Sequence, residues 1–337
     1  MTPDRFAAIT SRYRDLRIAV FGDFCLDRYL EIDPARGESS IETGLPVHNV
    51  VRVRSQPGAA GTILANLVAL RVGTLRPIGF AGDDGEGFEL SRALGQMTNV
   101  RLEGFHRTPA RKTFTYCKPL VCEPGRAPRE LSRLDTKNWT PTPTEVEDRL
   151  CADLMGCMHE IDALILMDQV DRADTGTLTR RVLARLAESV AGRPGLLVIA
   201  DSRRGLRDFP PVCYKMNRQE LGALLGGDGP RTLAEVRAAA ADLAARTGKP
   251  VFVSLAEDGL VAADTSGTYH APALPVRGPI DIVGAGDAVT ASLAAAVAAG
   301  ATLPEAIELA NLAASHVIHQ LGTTGVASIA DLAALHA

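Results

Sequence analysis

The chain has 337 residues, 46% of them hydrophobic, and its 40 acidic and 36 basic side chains give a formal net charge of -4. That apolar content excludes a disordered chain, and the length allows one large α/β domain or two smaller ones. The charge offers no footprint for nucleic acid, and no run of about 18 uncharged apolar residues predicts a membrane span.

The N-terminal stretch MTPDRFAAITSRYRD is charged and lacks the apolar centre of a signal peptide. Arg17–Gly22 is short and apolar, as a buried parallel strand should be. Residues 28–56 carry polar, alternating stretches, clearest from Val47 to Val53, which predict exposed antiparallel strands. A helix is predicted from Gly61 to Leu70, a strand from Thr74 to Gly79, and a helix near Phe88–Met97 after the glycine-rich turn Gly82–Gly87. Arg111–Leu120 is a second polar β-like piece. It is followed by a proline- and glycine-rich loop at Glu123–Arg129 and renewed alternation to Asp135. Helices at Thr144–Met158, Thr175–Val190 and Leu233–Thr247 then alternate with strands at Ala163–Met167, Leu196–Ala200 and Pro250–Leu255.

This βαβα order predicts an α/β domain of three layers, a mostly parallel sheet with helices on both faces. The polar β segments, about 28–54 and 111–135, fit that sheet poorly and are expected to form a small β lid on a single domain spanning 1–337. Near the C-terminus Gly300 stops one helix, and Thr302-Leu-Pro-Glu305 reads as the capping box of the next.

The six cysteines, Cys25, Cys117, Cys122, Cys151, Cys157 and Cys213, include no CxxC pair. No histidine sits at zinc-ligand spacing, so reduced thiols in a cytoplasmic protein are expected. Gly248-Lys249 is followed by Pro250, which rules out a Walker A loop. No GxSxG, HExxH or GxGxxG motif occurs. His316 and His319 share a helix face and read as structural.

The chemistry is carried by Asp281-Ile-Val-Gly-Ala-Gly-Asp287, which opens an alanine-rich helix. A helix start presents unpaired N–H groups and the positive end of the macrodipole, and small residues let an anion approach closely. A carboxylate in that first turn can take a proton from an attacking hydroxyl, so the pattern predicts phosphoryl transfer.

DIVGAGDAVTASLAAAVAAG, Gln56-Pro-Gly-Ala-Ala-Gly61, Asn217-Arg-Gln-Glu220, GFAGDDGEGF and ANLAASHVIHQLGTTG together resemble the PfkB/ribokinase family of carbohydrate kinases over nearly the whole chain. GDFCLDRYL, RELSRLD and LANLAASHVIHQLGTT look most like the heptose 7-phosphate kinase domain of ADP-heptose synthesis. The nucleotidyltransferase half of the bifunctional form is not expected in a sequence ending at Ala337.

The resemblance implies a ribokinase-like fold and ATP-dependent transfer to a hydroxyl of a sugar or sugar phosphate, with heptose 7-phosphate as one candidate. A non-catalytic sugar-binding relative is the other reading. The resemblance makes Asp287 the general base and Gly284, Ala285 and Gly286 the anion hole. Asp27 would hold sugar hydroxyls, with Gly58, Ala59, Thr62 and Asp168 lining the sugar site. Asn217 and Glu220 would organise Mg2+ and phosphate through water, while Ser254 to Gly259 and Asn311 enclose ATP. Asp281 fits a monovalent-cation position, K+ in kind. The lid would exclude water and pair between subunits as a homodimer.

Three departures stand out. The family's paired glycine is Gly58-Ala59 here, and Thr62 replaces the asparagine expected just beyond. Where heptose-phosphate kinases read DYGKG, this chain has Asp168-Gln-Val-Asp-Arg172. Asp171 in the lysine slot would repel a phosphate on the substrate if it faced the site, favouring an unphosphorylated sugar. Arg172 beside it could take over the lysine's task. An aromatic content of 4% argues against stacking on a nucleoside base.

Overall fold

The computed structural model describes residues 1–227 and 229–336. Its main sheet has nine strands, in the spatial order 267–271, 260–264, 251–254, 213–217, 197–202, 163–168, 17–22, 74–82, 105–108. The seven strands from 251–254 to 105–108 run parallel, and the two beyond 251–254 are antiparallel. The central strands are buried on both faces, all six residues of Ala163–Asp168 among them. Helices must therefore cover both sides. Ala60–Ala69, Ala285–Ala298 and Leu303–Val317 pack together on one face, while Thr144–Cys157 and Arg180–Ala191 pair on the other. The expected mostly parallel three-layer architecture is what is found.

The second sheet is separate. Phe24–Ile32 pairs antiparallel with Val50–Ala59 and parallel with Phe114–Val121, whose other edge takes Leu134–Thr136 and Arg129–Glu130. Only one residue separates Gly22, at the end of a main-sheet strand, from Phe24. The chain thus passes straight from the core into the small sheet and carries Asp27 with it. Val50, Val51, Val53 and Leu134 are exposed on this sheet, and Ile41 and Leu45 in the loop beside it.

Several local expectations are corrected. The helix expected from Thr175 begins at Arg180, capped by Thr179, because residues before it turn inward and Thr177 donates its N–H to Asp23 at 2.6 Å. The strand Cys213–Asn217, the helices Pro3–Thr10, Arg218–Leu225 and Ile329–His336, and the hairpin of Leu260–Asp264 with Gly267–Ala271 lacked a readable period in the sequence. Among the described residues, no helix is long and apolar enough to cross a membrane.

Candidate active site

Parallel strands that share a direction end at a common edge, and loops leaving that edge converge on a crevice. Here the register pairs Asp168 with Ser202 and Asn217 with Ser254 at the carboxyl ends of neighbouring strands. The helix Ala285–Ala298 starts over this edge, packed on the strands 163–168 and 197–202.

Gly284 caps that helix with φ 84°, and a Cβ there would lie 2.5 Å from Thr324 Cγ2, so the turn requires glycine. Ala285 donates its N–H to Ile282 O at 3.2 Å. Of the three predicted anion-hole residues, Gly284 shapes the turn and Ala285 closes it. The N–H of Gly286, with that of Asp287, is left without an i−4 carbonyl. Asp287 sits low in the crevice, partly reached by solvent. Burial, then the charge of Asp201, raise its pKa to about 8 against the pull of Lys215, and Asp27 adds to the rise. A carboxylate poised there is a competent base near neutral pH.

Asp27 approaches from the second sheet. It is 9% exposed, and burial raises its pKa while Lys118, the Thr324 hydroxyl and Arg133 lower it. A Cβ on Gly58 would stand 2.6 Å from Asp27 Oδ2, so only glycine lets that strand pass the carboxylate. Ala59 adopts φ 54°, ψ -117°, a region suited to glycine, which is where the family's second glycine is missing. Thr62 is buried, with its hydroxyl unpartnered and its methyl facing Gly284.

Asp168 ends its strand. It is fully buried, accepts from Ser202 Oγ at 2.6 Å and pairs with Arg204 at 3.0 Å. Burial and the nearby Asp23 raise its pKa to about 7. Its Oδ1 has no hydrogen-bond partner, and next to it Asp23 ties down the loop through the N–H groups of Gln169 and Thr177.

Asn217 and Glu220 form a reciprocal capping box. Asn217 Oδ1 accepts from Glu220 N at 2.9 Å, and Glu220 Oε2 accepts from Asn217 N at 2.7 Å. The other oxygen of Glu220 takes no part in that box, and burial pushes its carboxyl up. Ser254 ends the adjacent strand. Gly259 has φ 87° with the backbone of residues 271–273 pressed against it, and Asn311 donates to Ala271 O at 2.8 Å and to Pro272 O at 3.1 Å. Asn311 and Gly259 therefore fix one loop together. Asp281 accepts from Val283 N at 3.1 Å and Gly322 N at 3.3 Å, joining the segment before the helix to the C-terminal loop.

Sequence reading missed the charges that finish the site. Lys215, 5% exposed, donates to Asp201 Oδ2 at 2.7 Å, and Thr290 Oγ1 donates to the same oxygen at 2.8 Å. The available signal was a lysine inside an otherwise apolar strand, two residues before Asn217. A second group of cations gathers around Tyr116, whose backbone pairs in register with Asp27. Arg133 and Lys137 lie 5.0 and 5.8 Å from its ring centre. Asp171 is held by Lys137 at 2.6 Å and Arg203 at 3.3 Å, which keeps its carboxyl below the usual range. The predicted repulsive charge is thus neutralised where it stands.

The mostly parallel sheet, with a carboxylate at a helix start on its carboxyl edge and another approaching from a second sheet, defines an α/β protein of ribokinase-like fold. The fold is shared with the ribokinase of Arabidopsis thaliana solved with ribose and ATP (TM-score 0.66, 19% identity, 94% of this chain and 95% of that one). It is shared also with the phosphofructokinase-2 of Escherichia coli solved with potassium (TM-score 0.71, 19% identity, 94% and 97%). Residues 199–329 match the family described as pfkB family carbohydrate kinase. The chain is 32% identical to the bifunctional protein HldE of Rhodospirillum rubrum over 98% of this chain, and 28% identical to that of Gluconobacter oxydans over 93%. The chain spans only 64% and 63% of those two curated relatives.

Proposed function

We propose that this protein transfers the terminal phosphoryl group of ATP to a hydroxyl of a sugar that already carries a phosphate, heptose 7-phosphate being the leading candidate. The observation that carries the proposal is Asp287 at the helix start with Asp27 across the crevice. In this reading Asp27 and Gly58 orient the sugar, and Asp287 accepts the proton of the attacking hydroxyl. The N–H groups of Gly286 and Asp287 receive the charge that develops on the transferring group. Ala59 and Thr62 shape the wall beside them, and Ser254, Gly259 and Asn311 enclose the nucleotide.

The residues fit Mg2+ held through water. Glu220 keeps one oxygen outside the capping box, while the Asn217 side-chain oxygen is engaged in it. Mg2+ when bound neutralises phosphate charge. Asp281 is the residue we assign to a monovalent cation such as K+.

The phosphate on the substrate is supported by the cations near Tyr116 and Asp27. Lys118, Arg133, Lys137 and Arg203 outnumber Asp135 and Asp171 there. This reverses the expectation drawn from Asp171 alone. The second sheet acts as a lid that excludes water. Its exposed Val50, Val51 and Val53 support pairing with a second copy, which light scattering at micromolar concentration tests. All six cysteines are free thiols, which supports a cytoplasmic setting that fractionation checks.

A coupled ADP-release screen over sugars and sugar phosphates with magnesium and potassium tests the proposal. Turnover should be greatest on a phosphorylated sugar. Release of ADP with no acceptor, or with none of those offered, would remove it.

A further inference from the structure

We infer that Lys215 completes the anion hole, its ammonium contacting the transferring phosphoryl group beside the helix-start N–H groups; this deepens the kinase reading and rests on it. Lys215 is buried, and a Cβ built on Gly286 would lie 3.2 Å from its Nζ, so the ammonium lies against the first turn of the helix. An anion seated on those N–H groups meets it directly.

The ammonium is braced. Asp201 accepts from Lys215 at 2.7 Å and from Thr290 at 2.8 Å, and the single proton of the Thr290 hydroxyl is shared with Gly286 O at 3.1 Å. The strand end, the carboxylate and the helix turn are thereby locked in one arrangement. An ammonium has three protons, and the bond to Asp201 uses one. The charge of Lys215 is felt by Asp201, Glu220 and Asp287. Three carboxylates would make this corner hostile to a phosphate without a cation among them. A buried pair serving stability alone could be replaced by apolar residues with little loss, and this one stands where charge develops in the reaction.

The test uses Lys215→Met and the double variant Lys215→Met/Asp201→Asn, which removes both charges of the Lys215–Asp201 pair. Both should lower kcat by about 10²–10³, the usual worth of one such donor. The KM for the sugar should stay within about threefold, since uniform binding is untouched. Calorimetric titration with ADP and with a non-hydrolysable ATP analogue gives a readout without turnover. The preference of the wild type for the analogue should fall about tenfold in both variants. Recovery of kcat in the double variant, or equal weakening of ADP and analogue, would overturn the inference and leave Lys215 a structural partner of Asp201. If Lys215→Met fails to fold, the double variant decides. Failure of the wild type to phosphorylate any acceptor would instead remove the kinase reading, and the titration would still judge the lysine.

Discussion

Replacing Asp287 with asparagine should lower activity and raise stability at once, because the base we propose is a carboxylate whose charge the fold buries at a cost. The catalytic part follows from its place in the first turn of the helix. Loss of a general base costs about 10²–10⁴ in rate, and ATP affinity should be nearly unchanged. The stability part follows from the pKa, raised from 3.8 to about 8 mainly by burial. At about 1.4 kcal/mol per pKa unit the upper limit is near 6 kcal/mol; solvent in the crevice screens much of it, and we expect a gain of about 1–3 kcal/mol.

The sign is set by linkage. A folded-state pKa above the unfolded value favours the native state below pH 3.8. That advantage fades as pH rises and is gone above about 8, where both states are ionised and the charge must be buried. The advantage of Asp287→Asn over the wild type should therefore grow between about pH 4 and 8 and then level off. Urea unfolding at pH 5, 7 and 9 measures this, with kcat/KM measured across the same range. The wild-type kcat/KM should rise with pH toward about 8 as the base loses its proton. A folded variant with near-wild-type kcat, or a stability difference that ignores pH, would refute the reasoning.

Asp27→Ala should raise the sugar KM by about 10- to 100-fold, since each charge-assisted hydrogen bond contributes roughly 1.5–3 kcal/mol. Steady-state kinetics should show a smaller change for ATP, and equal loss for both substrates would make Asp27 structural. Ala59→Gly relieves a backbone at φ 54°, ψ -117°. The strain is about 1–3 kcal/mol and the entropic cost of glycine about 0.5–1, so denaturation should show a net gain of about 1 kcal/mol. A loss would mean that the turn tolerates alanine. Asp171→Asn frees Lys137 and Arg203, which it now engages at 2.6 and 3.3 Å. The KM for a sugar phosphate should fall about threefold while that for the parent sugar stays put, a modest change because the pair is exposed. An equal change in both would place the cluster outside the substrate site.

The sequence by itself determined the local features whose signals are periodic or covalently close. The apolar run Arg17–Gly22, the alternation of helices with strands from 144 to 255, and Gly-Ala-Gly-Asp at a helix start each state their structure within a few residues, because burial on both faces and the N–H groups of a helix turn depend on near neighbours. The class of the fold and the carboxylate of Asp287 at a helix start were legible for that reason. Tertiary structure alone decided which charges meet. Asp168 reads as a residue of the sugar site, and its partners Ser202 and Arg204, from another strand end, are fixed only by the sheet. Asp171 reads as a repulsive charge until Lys137 and Arg203, from other elements, neutralise it. Lys215, Asp201 and Thr290 lie 14 and 89 residues apart in the chain and share a single carboxylate oxygen. Coulomb and desolvation energies depend on distance in space, and a linear sequence records that distance only once the sheet has brought its carboxyl ends to one edge.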